Sequence, residues 1–314
     1  MQRVDDLSKL SLHGCGLTIG SFDGIHLGHQ ALIRSMVQAA SGSGVPSVVL
    51  TFYPHPSVVL RGRQPAFYIT TPEEKASILE GLGVEVVITQ RFDERLSMVS
   101  ADSFLDMLQE RLGFGDLWVG EDFALGHRRE GNRLFLERAS QERGFTLHIF
   151  PPVIIGGEVV SSTRVREALR SGDVARAATY LGRRFVVPGR VVKGAGRGKR
   201  LGIPTANLSV WEERAYPGPG VYACLAEVDG RRWKAVANIG VRPTFEQAQP
   251  APTVEAYLLD FDQDLYDREV KLIFVERLRD ERRFPGAEAL LGQIQRDVRR
   301  AREILEGAER QAVA

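Results

Sequence analysis

The chain predicts two folds in series: an α/β domain built on a parallel sheet, then an antiparallel β-barrel followed by a long terminal helix. Three observations carry this expectation. Up to about residue 183, short apolar runs alternate with amphipathic helical patterns, which implies a parallel sheet covered on both faces. Beyond residue 184 strand-like runs follow one another with few helices between them, and closure into a barrel removes exposed edges. Asp229-Gly230, set between two of these runs, is a type I′ hairpin signal. The length of 314 residues suits two domains, 1–183 and 184–314, at roughly 100–200 residues each.

Each element has a local reason. Leu17-Thr18-Ile19 reads as a strand, and Gln30 to Ala40 as the helix after it. Ser47 to Phe52 is a β-branched strand closed by Pro54-His55-Pro56. Thr71-Pro72-Glu73-Glu74 starts a helix, with Thr71 as N-cap and Glu74 completing a capping box; Gly81 or Gly83 ends it. Val84 to Thr89 is a strand, Ser100 caps a helix through Leu112, and Gly113 is its C′ residue. Leu117 to Val119 is a strand, Asn132 to Arg143 a helix, and Thr146 to Phe150 a strand. In the second half Arg184–Val192, Gly220–Val228, Trp233–Ile239, Val254–Phe261 and Val270–Glu276 read as strands. From Pro285, Leu290, Leu291, Ile294, Val298 and Ile304 mark the terminal helix.

Composition narrows the function. Hydrophobic residues make up 43% and the formal net charge is +1, so the whole chain shows no bias toward nucleic acid or anionic membrane. Cys15 and Cys224 are far apart, and reduced thiols in a cytoplasmic setting are the simplest expectation. The charged N-terminus and the lack of a long apolar run argue against a signal peptide or a membrane span.

The most informative segment runs from Leu17 to His29. A strand passes through a turn punctuated by Gly20, Gly24 and Gly28 into a helix, with Phe22, Asp23, His26 and His29 in the turn. Glycines let backbone approach a bulky ligand or adopt positive φ, and a helix N-terminus is a seat for phosphate. His26 and His29 could donate to phosphate oxygens as charge builds. A structural histidine pair and a metal set of Asp23, His26 and His29 are the alternatives. Gly120-Glu121-Asp122-Phe123 should reach the same strand-end cleft, where Asp122 holds a ligand hydroxyl or merely caps its loop. Ser161, Ser162 and Thr163, followed by Arg164 and Arg166, are N-cap candidates that also suit a triphosphate.

In the second half the loop from Gly194 through Arg197, Gly198 and Lys199 to Gly202 and Pro204 could wrap phosphates through its amides. It could instead be a solvated loop, or a basic finger for RNA or single strands. Thr205 and Asn207 offer neutral oxygens suited to Mg²⁺. Glu255, between apolar neighbours in its strand, is either a paired carboxylate or a base.

With these segments in view the chain resembles the bacterial bifunctional riboflavin kinase/FAD synthetase family over almost its whole length. The resemblance is carried by Gly20–His29, Phe52–Pro56, Gly120–Phe123, Ser161–Arg166, Leu201–Asn207, Gly220–Tyr222, Asn238–Gly240 with Pro243-Thr244, and Glu255–Phe261. It implies a Rossmann-like HxGH nucleotidyltransferase first half that adenylylates FMN to FAD with release of pyrophosphate. The second half would be a flavokinase barrel that phosphorylates riboflavin. It further implies ATP and Mg²⁺, with Glu255 as catalytic base, Thr205 and Asn207 as metal ligands, and His55, Asp122 and Asn238 at the flavin. Leu125, Tyr53, Tyr257 and Asp267 depart from the family pattern; glycine is common at the last of these positions. Two rivals remain: a nucleotidyltransferase forming a CDP- or CoA-type product, and a nucleic-acid-binding protein using Arg197–Arg200. Small-molecule partners are expected, with neither nucleic acid nor membrane, while oligomeric state is not legible.

Overall fold

The computed structural model describes residues 1–62, 67–194, 202–241 and 252–311. Contacts divide the chain into two compact units, Met1–Gln64 with Ile69–Ser162, and Pro65–Tyr68 with Thr163–Ala314.

The first unit is built on a six-stranded parallel sheet of order β1-β4-β3-β2-β5-β6. Its strands are β1 (Gln2–Val4), β2 (Gly16–Ile19), β3 (Ser47–Tyr53), β4 (Val86–Arg91), β5 (Asp116–Gly120) and β6 (Thr146–Phe150). The chain runs outward from β2 through β3 to β4, then returns to the other side of β2 for β5 and β6. The β2/β5 boundary is therefore a switch point, the usual place for a ligand crevice at the carboxyl ends of strands. Helix α1 (Leu27–Ser43) sets Ile33 and Met36 against Val49 and Val87 on one face. Phe104, Leu105 and Leu108 of α5 (Ala101–Leu112) and Leu136 of α6 (Arg133–Arg143) cover the other face over Leu17 and Leu117. The smaller helices are α2 (Pro56–Arg61), α3 (Pro72–Gly81) and α4 (Glu94–Ser97). Caps fall where side-chain chemistry places them: the Thr71–Glu74 capping box, Ser100 and Asn132 at N-caps, and Gly113 in the left-handed conformation at a C-cap. A two-stranded hairpin, β7 (Ile154–Ile155) with β8 (Glu158–Val159), follows β6. Sequence reading misses β1, because its three residues are partly or fully exposed and carry no apolar pattern.

The second unit holds a closed barrel of order β10-β13-β12-β11-β14-β9. Its strands are β9 (Val186–Val192), β10 (Ala206–Ser209), β11 (Gly220–Val228), β12 (Arg231–Val241), β13 (Pro252–Leu258) and β14 (Glu269–Arg279). Asp229 and Gly230 both take positive φ (48° and 76°), as a type I′ turn requires. Alternation along β11 serves two cores. Tyr222 meets Phe274 edge-on at 5.4 Å, whereas Val221, Ala223 and Leu225 join Ala301 and Leu305 of α9 (Ala287–Gln311). Burying Leu305 alone contributes about 2 kcal/mol. Helix α7 (Ser162–Ser171), apart from its first residue, and α8 (Val174–Leu181) make their contacts with this unit. Asp267 adopts φ 63°, the left-handed conformation that explains a preference for glycine there. Among the described residues no helix is long and apolar enough to cross a membrane.

Candidate active sites

In the first unit the turn between β2 and α1 lies at the switch point. His26 is the N-cap of α1, its Nδ1 accepting from the His29 N–H at 3.4 Å. The two imidazoles stack with centroids 3.6 Å apart and planes 21° from parallel. Phe22 meets His29 edge-on at 5.1 Å. Nδ1 of His29 is shielded from solvent and has no hydrogen-bond partner, a cost that a phosphate oxygen would relieve. Burial, then the charges of His26 and Lys75, holds the His29 imidazolium well below the ordinary histidine value, so His29 is neutral near pH 7.

The turn departs from expectation in how its glycines work. Only Gly24 uses positive φ, at +79°; the other left-handed residues are Phe22 (45°) and Ile25 (38°), both buried. Gly20 and Gly28 serve close approach instead, since a Cβ would sit 2.9 Å from the Phe22 ring and 3.1 Å from the His26 ring. Hydrogen bonds hold the strained backbone. The Asp23 carboxylate accepts from the N–H groups of Ile69 and Thr70 at 3.0 and 3.2 Å, and Gln30 donates to the Ile25 carbonyl at 2.9 Å. Asp23 is therefore occupied as a brace, and the described residues hold no group of three His, Cys, Asp or Glu fit for a metal.

Parallel strands bring other expected residues to the same edge. His55 follows β3 and caps α2, its Nδ1 accepting from Ser57 N–H at 3.1 Å. Asp122 follows β5 and is exposed, with its main-chain carbonyl accepting from Arg129 at 2.7 Å. Ser162 donates to the Asp23 carbonyl at 2.8 Å, and Ser161 precedes it in the same unit. Thr163 and Arg164 fall in the second unit by their contacts. Leu125 is a core residue, paired with Gly131 across an isolated bridge.

On the barrel, register rather than sequence proximity assembles the site. Asn207, Glu255 and Asn238 are direct cross-strand partners on β10, β13 and β12, so their side chains share one face in one row. Val221 continues that row and packs toward α9, which puts Glu255 on the outer face of the barrel rather than in its interior. Gly194 lies against Asn207: a Cβ there would be 2.1 Å from its Nδ2, so the amide occupies space that a side chain would take. Thr205 is half-buried just before β10; Pro204 and Gly202 precede it and are exposed. Arg197, Gly198 and Lys199, with Leu201 and Pro243-Thr244, lie outside the described residues.

Sequence reading missed the neighbouring cleft of about 660 Å³, lined by Arg282, Phe284, Glu288 and Arg296 among others. The Arg279 and Arg282 guanidinium groups lie 5.7 and 4.9 Å from the Phe284 ring centroid. Behind the cleft, Arg279 pairs with buried Asp297 at 2.9 Å, Gln293 donates to Asp297 at 2.7 Å, and Arg282 and Arg296 donate to the side-chain Oε1 of Gln293. Glu281 accepts from Asn238 at 3.0 Å. The available signal was Gln293 and Asp297, four apart on the otherwise apolar stripe of α9. Four basic residues around Phe284 were a second signal.

A family model described as FAD synthetase matches residues 8–164, and one described as riboflavin kinase matches residues 181–305. Proteins described as bifunctional riboflavin kinase/FMN adenylyltransferase are similar along nearly their whole length. The Pseudomonas fluorescens protein is 41% identical, covering 97% of this chain and 98% of its own. That of Escherichia coli K12 is 38% identical over 96% of each chain, and that of Bacillus subtilis 36% identical over 91% and 90%. A solved structure from Streptococcus pneumoniae, described as a macrolide-efflux protein, superposes with a TM-score of 0.87 at 29% identity, covering 96% of this chain and 98% of its own.

Proposed function

The chain belongs to the bifunctional riboflavin kinase/FMN adenylyltransferase family, and on that premise we propose how its residues divide two reactions between two sites. It is a riboflavin kinase and an FMN adenylyltransferase, forming FMN and then FAD. Residues 1–183 carry adenylyl transfer and 184–314 carry the kinase. ATP is the phosphoryl and adenylyl donor.

In the kinase, the terminal ribityl hydroxyl of riboflavin attacks the γ-phosphorus of ATP. The bond from that phosphorus to the bridging oxygen breaks, and ADP leaves. Glu255 accepts the hydroxyl proton as general base. Asn238, held by Glu281, orients the flavin, and the Phe284 cleft offers an aromatic face of suitable size. A divalent ion, Mg²⁺ by donor chemistry, fits the neutral hard oxygens of Thr205 and Asn207; Asn207 stands opposite Glu255 in register, and Thr205 lies two residues before Asn207. Bound there it would neutralise charge on the transferring phosphate. Gly194, Arg197, Gly198, Lys199, Gly202 and Pro204 would wrap the nucleotide.

In the other half the FMN phosphate itself attacks the α-phosphorus of ATP and pyrophosphate leaves, so the protein need supply no nucleophile. Catalysis is alignment and charge stabilisation. His26 and His29 donate to the reacting phosphates, with Gly20, Phe22, Asp23 and Gly28 shaping the turn around them. Ser161, Ser162, Thr163 and Arg164 hold the triphosphate, while His55 and Asp122 meet the flavin end of FMN.

The observation that carries the adenylyl-transfer reading is the unpartnered, shielded Nδ1 of His29 at a helix N-terminus on the switch point. Full-length protein incubated with riboflavin, ATP and Mg²⁺ should give FMN and then FAD by chromatography, and FAD directly from supplied FMN. Absence of both products would refute it.

A further inference from the structure

Beneath the His26/His29 turn lies a buried ammonium that sequence reading passed over. Lys75, in the second turn of α3, is 9% exposed. Its Nζ donates to the Ser21 carbonyl at 2.6 Å and to Thr51 Oγ1 at 3.1 Å, and that hydroxyl donates to the same carbonyl at 3.0 Å. Ser21 immediately precedes Phe22, the first left-handed residue of the turn. The same short segment grips the turn twice more. The backbone of Ile69 and Thr70 holds Asp23, and Thr70 Oγ1 accepts from Gly24 N–H at 3.1 Å. The capping box at Thr71 and Glu74 fixes the start of α3 and hence the reach of Lys75.

We propose that Lys75 is a positioning residue for adenylyl transfer: by holding the Ser21 carbonyl it keeps the turn in the shape that presents His26 and His29 to phosphate. Burying an ammonium is costly, and a neutral side chain would fill the same space without that cost. Its charge has a further consequence, because it is among the causes that keep the His29 imidazole neutral. The groups facing it are Asp23 from the turn, His29 from α1, and the uncharged Thr51 from β3; His26, the N-cap of α1, acts on His29 within the stacked pair. Glu73 and Glu74 lie on its own helix, with Glu74 engaged in the capping box.

This inference rests on the adenylyl-transfer reading, and the full chain supplies its own control. Lys75→Met should lower kcat for FMN adenylylation by about 10- to 100-fold and leave riboflavin phosphorylation unchanged, which shows that the chain is folded. The acidic limb of the kcat–pH profile should move to higher pH, and the NMR titration of His29 should move with it, because the repelling charge is gone. Lys75→Arg should recover part of the rate. Parental adenylylation in Lys75→Met overturns the inference. So does a loss equal at every pH with an unmoved His29 titration and no recovery by arginine, since plain packing would behave that way. Full adenylylation by His29→Ala would instead overturn the wider reading of the turn.

Discussion

The two sites hold their functional groups by opposite means. The turn of the first unit is a strained loop, with Phe22, Gly24 and Ile25 at positive φ, kept in place by buried hydrogen bonds from Lys75, Ile69, Thr70 and Gln30. The barrel site is an unstrained row of cross-strand neighbours, Asn207, Glu255 and Asn238, whose spacing is set by strand pairing. Strain needs braces from distant sequence, whereas register needs only the ladder. The first site should therefore be sensitive to substitutions behind it, and the second chiefly to the ligand-facing residues.

The largest test separates the two outright. Glu255→Ala should lower FMN formation by about 10²–10⁴-fold, the range for losing a general base, while FMN-to-FAD conversion continues. His29→Ala should do the reverse, with a loss of about 10²–10³-fold, as for one oxyanion donor. Loss of both activities in either well-folded variant would break the comparison.

A smaller effect probes whether the barrel site has a brace of its own. Asp297→Ala removes the buried partner of Arg279 and frees Gln293, which should destabilise the second unit by about 3–5 kcal/mol. The riboflavin KM should rise more than kcat falls, because α9 forms one wall of the cleft. Unchanged KM and unchanged urea midpoint would show that strand register alone suffices.

The smallest effect is alkaline. Burial pushes Tyr222 up to about 12 from 10.0 and raises Tyr216 and Cys224 as well. These groups keep their protons longer in the folded state, so the stability they contribute is present below the unfolded values and lost as pH rises above them. Among the described residues the first unit has Cys15, pushed up to about 12. It also has Lys75, held down at about 8 against 10.5, and there the sign reverses: the unfolded chain binds the extra proton, so stability rises between those values. Heat-inactivation midpoints at pH 8 and 10 should therefore fall further for riboflavin phosphorylation than for adenylylation. Equal falls would remove this contrast.

Most elements were legible because their signals are local. The Thr71 capping box, Ser100 and Gly113 around α5, and the paired positive φ of Asp229-Gly230 each act within four residues, and the structure has all of them. β1 and the 206–209 strand were not legible, since one is three residues long with a single apolar residue and the other is defined only by its partners β9 and β13.

The sequence by itself determined the two fold classes, the family, and which residue types stand in each turn and loop, because period, capping and turn chemistry are encoded over a few neighbours. Only the tertiary structure decided that Gly20 and Gly28 serve close approach, that Glu255 lies in a row with Asn207 and Asn238 on the outer face of the barrel, and that Lys75 reaches Ser21 from 54 positions away. Those facts depend on which strands pair and which chain segment covers them, and such long-range contacts leave no periodic trace in the residues that make them.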